Sequence, residues 1–265
     1  MSTISQKGAN GPLALQASGS FQSSTDANLA TLVGTRWDLS DGREVMLVSV
    51  GATALNSVGV LVQDAAIVAN AQGVAVTAFQ AYSANGNIPA VVSVGTNATA
   101  VVANQYQGGF VMVDSGPGIG QTLKISGNSV IGATTAGTIT LEDSPNTALT
   151  TSSTVCLLPP HGANVIINPT TPTGAVAGVT LYTLAAGSAA GGTGAQSYGF
   201  VATRGLVAAI SDATTASVGQ AISPSTTTAG DVTVALAGGT TPTAIIGYAN
   251  QTAVSAKSRS VFLQV

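Results

Sequence analysis

The stretch Asn104–Ser129, NQYQGGFVMVDSGPGIGQTLKISGNS, limits the folds open to this chain more than any other. Gly108-Gly109 feeds an alternating run, Phe110–Val113. Gly116-Pro-Gly-Ile-Gly120 then reverses the chain, and a second alternating run, Leu123–Ser126, closes on Gly127-Asn128. Alternation at period two sends successive side chains to opposite faces of a sheet. Two such runs around a Gly/Pro-dense connector specify a β-hairpin. The same idiom fills most of the chain, with short apolar runs set between Gly, Thr, Ser and Asn.

Strands are expected at Glu44–Val50, Val58–Val62, Ala90–Val94, Thr99–Ala103, Thr138–Glu142, Thr154–Leu158, Asn164–Ile167 and Val176–Leu184. Beyond these come Tyr198–Ala202, Leu206–Ile210, Val218–Ile222, Val232–Leu236, Ala244–Ala249 and Val261–Val265. Asp64–Tyr82 reads as strand, turn, strand, divided at Gly73; Asn85-Gly86-Asn87 and Thr203-Arg204-Gly205 read as turns. One short helical turn or two, capped by Thr25 or Asp26, fits Thr25–Val33. Strands recurring every roughly 8–12 residues indicate sandwiches or barrels rather than βαβ units. The expected fold is all-β: two β-sandwich or barrel-like subdomains of short strands, an extended N-terminal arm and little helix.

Residues 1–30, rich in Ser, Ala, Gln and Gly, read as that arm. Asn168-Pro-Thr-Thr-Pro-Thr-Gly174 has two prolines and no large apolar residue, so it reads as a linker. The expected division is therefore an N-terminal β domain at 31–167, a linker at 168–174 and a C-terminal β domain at 175–265. Val261–Val265, as a chain-terminal strand, is expected to offer unpaired backbone groups to a neighbour.

Charge narrows the function. Asp, Glu, Lys and Arg make up 6% of the 265 residues, against roughly 25% in an ordinary soluble domain. Hydrophobic residues are 45% and mean hydropathy is +0.43. Yet apolar runs stay short, as at Gly108–Val113 and Gly205–Ile210, whereas a spanning helix needs roughly 20 consecutive apolar residues. The N-terminus MSTISQKGANGPLALQ has one Lys and no apolar stretch, so no signal peptide and no membrane are expected. The cations Lys7, Arg36, Arg43, Lys124, Arg204, Lys257 and Arg259 are scattered. Nucleic acid, which demands clustered cations along its phosphates, is therefore not an expected partner. A chain this poor in charge suits packing into an assembly.

Chemistry is hard to place. A nucleophilic triad needs a base, and the one histidine is His161, in Pro159-Pro-His-Gly162. One His and one Cys exclude a zinc site of the His/Cys type. Cys156, within an apparent strand and with no basic neighbour in sequence, reads as a small buried hydrophobe. Gly116–Gly120 lacks the Gly-Lys-Ser/Thr that a phosphate loop carries into its helix. Glu142 and Asp143 are adjacent on a strand and point to opposite faces; Asp212 is their other candidate acid–base partner. Arg36–Glu44, RWDLSDGRE, holds the one Trp and reads as a hairpin tip turning at Asp41-Gly42, with local ion pairs and Trp37 beneath. The alternative is an interface or cation site built from Asp38, Asp41 and Glu44. Asn97-Ala-Thr99 and Asn250-Gln-Thr252 match the glycosylation sequon and are read as chance. No catalytic, cofactor or metal residue is assigned, and the chain is not expected to be an enzyme.

Two sets of motifs carry a resemblance. One is Asn104-Gln-Tyr-Gln-Gly-Gly-Phe110 with Gly116-Pro-Gly-Ile-Gly120, Ile125-Ser-Gly-Asn128, Gly137-Thr-Ile-Thr-Leu-Glu-Asp143, Ala148-Leu-Thr150 and Ser153-Thr-Val155. The other is Gly199-Phe-Val201, Val218-Gly219, Ile222-Ser-Pro-Ser225, Thr228-Ala-Gly230, Ile246-Gly-Tyr-Ala249 and Val261-Phe-Leu263. Over residues 104–265 the chain resembles head decoration, or cement, proteins of tailed bacteriophages and related virion structural proteins. In the N-terminal third, Trp37 with Asp41-Gly42-Arg43 is the best match. The resemblance implies a β-rich protein made in the host cytoplasm and bound on the capsid exterior. There it would bridge major capsid protein subunits and self-associate as a dimer or trimer. It brings no active-site residues. A second expectation is a tail, fibre or adhesin module recognising host glycans, for which Trp37 and five Tyr are the available stacking groups.

Overall fold

A computed structural model describes residues 4–6, 24–25, 27–67, 71–81, 89–96, 100–188, 196–212, 215–235, 244–252 and 257–265. It is all-β apart from one 3-10 helix, Ala27–Leu32. Two compact units emerge. One joins Met1–Ala65 to His161–Ala189 and Gly194–Val265; the other is Ala66–Pro160.

The first unit opens with β1 (Ile4–Gln6), β2 (Arg36–Leu39), β3 (Glu44–Val50) and β4 (Leu61–Gln63). The second unit follows as β5 (Val74–Gln80), β6 (Val91–Val94), β7 (Phe110–Ser115), β8 (Thr122–Asn128), β9 (Gly137–Leu141) and β10 (Thr154–Leu158). The chain then returns to the first unit with β11 (Ile166–Ile167), β12 (Val176–Thr180), β13 (Ser197–Ile210), β14 (Ala221–Pro224), β15 (Val232–Val234), β16 (Gly247–Ala249) and β17 (Ser258–Gln264).

The second unit is a closed antiparallel barrel in the order β10-β5-β6-β9-β8-β7. Period-two alternation builds its core. Val111 and Val113, Leu123 and Ile125, Ile139 and Leu141, Val155 and Leu157 all turn inward and are buried. Fully burying each such side chain contributes about 1.5–3 kcal/mol. The expected hairpin is present: Phe110 faces Lys124, Val111 faces Leu123 and Met112 faces Thr122. Its turn takes positive φ at Gly116, Gly118 and Gly120 (75°, 89° and 85°), a region closed to most side chains. Gln121 locks the turn by donating to Gly118 O (3.1 Å) and Thr147 O (3.0 Å), and Ser153 Oγ donates to Pro117 O (2.8 Å).

Thr99–Ala103 is not a strand over its described residues; Val101 alone makes an isolated bridge, to Ile131. The buried Asn128 side chain supplies the reason. It donates to Val102 O and accepts from Tyr106 N, both at 2.9 Å, taking groups a ladder would use. Asn104, at φ 60°, bends the chain between them. In Asp64–Tyr82 the second half is β5, while residues 64–67 form no strand. The Asn85-Gly86-Asn87 turn and the sequon at Asn97 lie outside the described residues, as does most of the N-terminal arm. Within that arm β1 pairs antiparallel with β2, Ser5 facing Asp38.

The first unit is an eleven-stranded sheet with the main path β1-β2-β3-β13-β17-β16-β14-β15, curled so that β12 joins β13 to β4, and β4 pairs with β11. Trp37 is fully buried and meets Phe200 edge-to-face at 5.4 Å between ring centroids. Tyr198–Ala202 and Leu206–Ile210 do not form a hairpin: they are one strand, β13. Thr203-Arg204-Gly205 is an irregularity that shifts register against β3 and passes the strand on to β17. Gly205 sits at φ 93°, and a Cβ there would lie 3.0 Å from both Arg43 Cα and Gly42 O.

The terminal strand also departs from expectation. β17 pairs on one side with β13, from Arg204↔Gln264 to Ile210↔Ser258, and on the other with β16. Val265 N donates to Thr203 O (2.9 Å), and Val265 O accepts from Arg36 (3.2 Å). Seven residues of β17 that alternate cleanly bury Val261 and Leu263 in the core, which requires partners on both edges. The linker expected at 168–174 lies within the first unit, and the chain divides near residues 65 and 161 instead. Asn168 is buried, and Thr173 exchanges hydrogen bonds with Gln63 (2.8 and 3.3 Å), so proline and threonine density here marks a pinned loop.

Candidate functional site

Groups of three or more His, Cys, Asp or Glu side chains placed to hold a metal are absent among the described residues. At the β2–β3 turn the three acids considered for a cation are engaged otherwise. Asp41 accepts twice from the Arg43 guanidinium (2.6 and 2.9 Å) and once from its backbone N (3.1 Å). These contacts hold its carboxyl below the usual carboxylate range. Glu44 pairs with Arg36 at 3.1 Å and accepts from Thr203 Oγ1 at 3.1 Å. Asp38 faces Glu44 across the strand pair.

The other groups singled out in the sequence fall into small structural clusters. His161 Nδ1 lies 2.7 Å from Asp64 Oδ2, and Asp64 Oδ1 accepts from Gly162 N (2.8 Å), so the carboxylate closes the Pro-Pro-His-Gly turn. Cys156 is buried, and its Sγ donates to Asp114 Oδ2 (3.6 Å) while Thr154 Oγ1 donates to Oδ1 of the same carboxylate. Glu142 pairs with Lys124 at 2.9 Å on the barrel, and Asp143 is exposed nearby in sequence. Asp212 belongs to the other unit, where it accepts from Ser225 Oγ (2.7 Å). Burial, and then the Asp212 charge, push the Asp231 carboxyl up. Arg259, 1% exposed, donates to Ser211 Oγ; burial lowers its guanidinium pKa and Asp212 opposes that shift. Tyr182 is pushed up to about 12 by burial, although its hydroxyl accepts from Phe200 N (2.7 Å).

What stands out is a surface. On β13, β17 and β16 the inward positions Val207, Ala209, Val261, Leu263 and Ala249 are core. The alternate positions make an outer face in which Leu206 sits opposite Phe262, and Phe262 opposite Tyr248. All three are exposed, at 51%, 45% and 45%. The remaining outward residues are Ala208, the half-buried Ile210, Ser258, Ser260, Gln264 and Arg204, so the strands put one charge on this face, a cation. Exposed Val58 borders it, sharing with Leu206, Ala208, Ser260, Gln251 and Arg43 a shallow depression of about 490 Å³. Val218 and Ile245, also exposed, lie where β16 is approached from its own ends: Gly219 N donates to Ala249 O, and Ile246 O accepts from Gln264 N. Four large exposed apolar side chains, Leu206, Phe262, Tyr248 and the bordering Val58, gather at this one face, unlike scattered surface hydrophobes. In the sequence these residues read as ordinary strand positions. The signal there is alternation with apolar residues in both phases, as in Arg204-Gly-Leu-Val-Ala and Ser260-Val-Phe-Leu-Gln. The barrel has its own exposed apolar positions, Phe110 and Met112 on β7 and Ile119 at the hairpin tip.

Comparison with protein-family models, with curated proteins and with solved structures finds no match to this chain.

Proposed function

We propose that this protein is a structural component of a virion, bound to the outer capsid surface, where it stabilises the head by bridging neighbouring major capsid protein subunits. One observation carries the reading: each unit presents exposed apolar side chains, Leu206, Phe262 and Tyr248 on strands that carry one outward charge, and Phe110, Met112 and Ile119 on the barrel, where Lys124 opposite Phe110 is paired with Glu142. Interface cores are depleted of charge and rich in aromatic residues, and a bridge needs at least two attachment faces, which one copy supplies itself or two copies joined through one of these faces supply together. The resemblance of residues 104–265 to phage head decoration proteins points the same way. The role asks for no active site, only broad contact repeated many times.

The glycan-binding alternative draws less support. Trp37 is fully buried, Tyr106 and Tyr198 are buried, and Tyr248 is the one exposed tyrosine among the described residues. The test is made on particles. Purified virions should contain the protein in stoichiometric ratio to the major capsid protein, and heads lacking it should break at lower temperature or lower salt. Heads equally robust without it, or a low copy number confined to the tail, would overturn the proposal.

A further inference from the structure

We infer that the outer face of β13, β17 and β16 is the contact between two copies of this chain, arranged about a two-fold axis that passes beside Phe262. This deepens the structural reading above and rests on it at one point, that the charge-poor face is a contact surface.

The chemistry of the face selects its occupant. An acidic partner would meet one cation on these strands, Arg204, and beside them Arg43, which Asp41 already pairs, while a basic partner would meet no carboxylate among the outward positions of β13 and β17. Phosphate-bearing surfaces need clustered cations, which those positions do not supply. A suitable occupant is neutral, flat and apolar across three strands, and this chain carries such a face itself. Two-fold pairing is self-complementary by construction, since a contact from i to j is repeated from j to i. With the axis beside the central Phe262, all three apolar residues of both copies are covered, whether the axis runs along the strands or across them. Strands spaced about 4.8 Å apart then keep the two Arg204 side chains at least about 10 Å from each other, a Debye length at moderate salt. No like charges are forced together.

Size sets the strength. Three strands about 14 Å across and a β17 about 24 Å long give a flat footprint on the order of 340 Å², against about 800 Å² per partner in a standard stable interface. Val58, in the bordering depression, and surface beyond the three strands therefore have to join the contact as shoulders. A pairing of that area is modest in free solution and is strengthened by the high effective concentration of copies held side by side on a lattice.

The test uses the full chain. Phe262→Cys places a thiol beside the axis, while the native Cys156 is buried. Mild oxidation should convert this variant to a disulfide-linked dimer, whereas Val130→Cys, exposed on the barrel, should form no disulfide-linked dimer. In sedimentation equilibrium the unmodified chain should approach twice its 25.8 kDa mass as concentration rises. Phe262→Asp and Leu206→Asp should weaken that association at least tenfold while leaving the circular dichroism unchanged. The proposal is overturned by a chain that stays monomeric throughout and whose Phe262→Cys variant forms no cross-link, or by a dimer that both aspartate variants leave intact. Either result leaves the copy-number and head-stability tests of the virion role standing on their own.

Discussion

The two units solve the same problem, an unpaired sheet edge, in different ways. The barrel uses one continuous segment, Ala66–Pro160, and closes β10 onto β7 so that no strand is left with a free edge. The larger unit is assembled from chain on both sides of that segment and stays open, ending at β1, at β15 and, on the branch through β12 and β4, at β11. These edge strands are two or three residues long, too short to template much pairing. The difference matters for how each is held. The barrel's strand pairs span at most 81 positions, from Val74 to Val155. In the open sheet, Arg36 reaches Val265 across 229 positions, so its stability depends on contacts of very high sequence separation. Both units expose apolar side chains, but only the open one sets three of them, Leu206, Phe262 and Tyr248, opposite one another in a row across adjacent strands.

The sharpest way to break this comparison is to damage one core and watch the other. Phe200→Ala removes a fully buried ring packed against Trp37 and should cost about 3–5 kcal/mol. Ile139→Ala opens a cavity in the barrel core and should cost about 2–5 kcal/mol. The single tryptophan lies in the open sheet, so its fluorescence reports that unit alone. Phe200→Ala should move the fluorescence midpoint in urea strongly. Ile139→Ala should leave that midpoint in place while far-ultraviolet circular dichroism gains an earlier transition. Identical shifts in both signals for Ile139→Ala would mean that the two units unfold as one.

A smaller effect is expected at the irregularity in β13. Gly205→Ala forces a side chain into positive φ and brings its Cβ to 3.0 Å from the backbone of Gly42 and Arg43. The left-handed conformation alone costs about 1–2 kcal/mol for an L-residue. The loss should fall on the tryptophan signal, because Gly205 lies where β13 passes from β3 to β17. Gly219→Ala, also at positive φ but with open space around its Cβ, should lose less. Equal losses would mean that crowding at Gly205 contributes nothing.

These contrasts also explain what the sequence could and could not disclose. The hairpin at Phe110–Asn128 was legible because strand period, turn residues and closure are all local. The all-β class followed from the same repetition. The break between units was not legible, because Asn168–Gly174 has a linker's composition while its bonds go to Gln63, more than a hundred residues away. Merging Tyr198–Ala202 with Leu206–Ile210 needed β3 and β17 on the page, since Arg204-Gly205 is equally good chemistry for a turn and for a bulge. The place of the terminal strand was hidden for a related reason: being last in the chain says nothing about being at the edge of a sheet. The apolar outer face was present in the sequence as alternation with both phases apolar, but only the pairing of Leu206, Phe262 and Tyr248 turns three unremarkable residues into a row.

The smallest expected effects separate two carboxylates of the open sheet by sign. Asp231 has its folded-state pKa raised above 3.8 by burial and by Asp212, so the folded protein holds its proton to higher pH than the unfolded chain. Stability is then highest below pH 3.8 for this group and falls as pH rises through the folded value. Asp41 is the reverse: Arg43 lowers its pKa, and its contribution is present above 3.8 and lost as pH falls through the folded value. Both groups are largely open to solvent, so each should be worth only about 0.2–1 kcal/mol. Asp231→Asn should raise the urea midpoint read by Trp37 at about pH 7 and leave it unchanged near pH 3. Asp41→Asn should lower it at neutral pH, with the loss shrinking as pH falls. If both variants shifted the midpoint in the same direction at neutral pH, the Asp212–Asp231 repulsion at the end of the open sheet would have to be abandoned, and with it the view that this edge is held in spite of its charges.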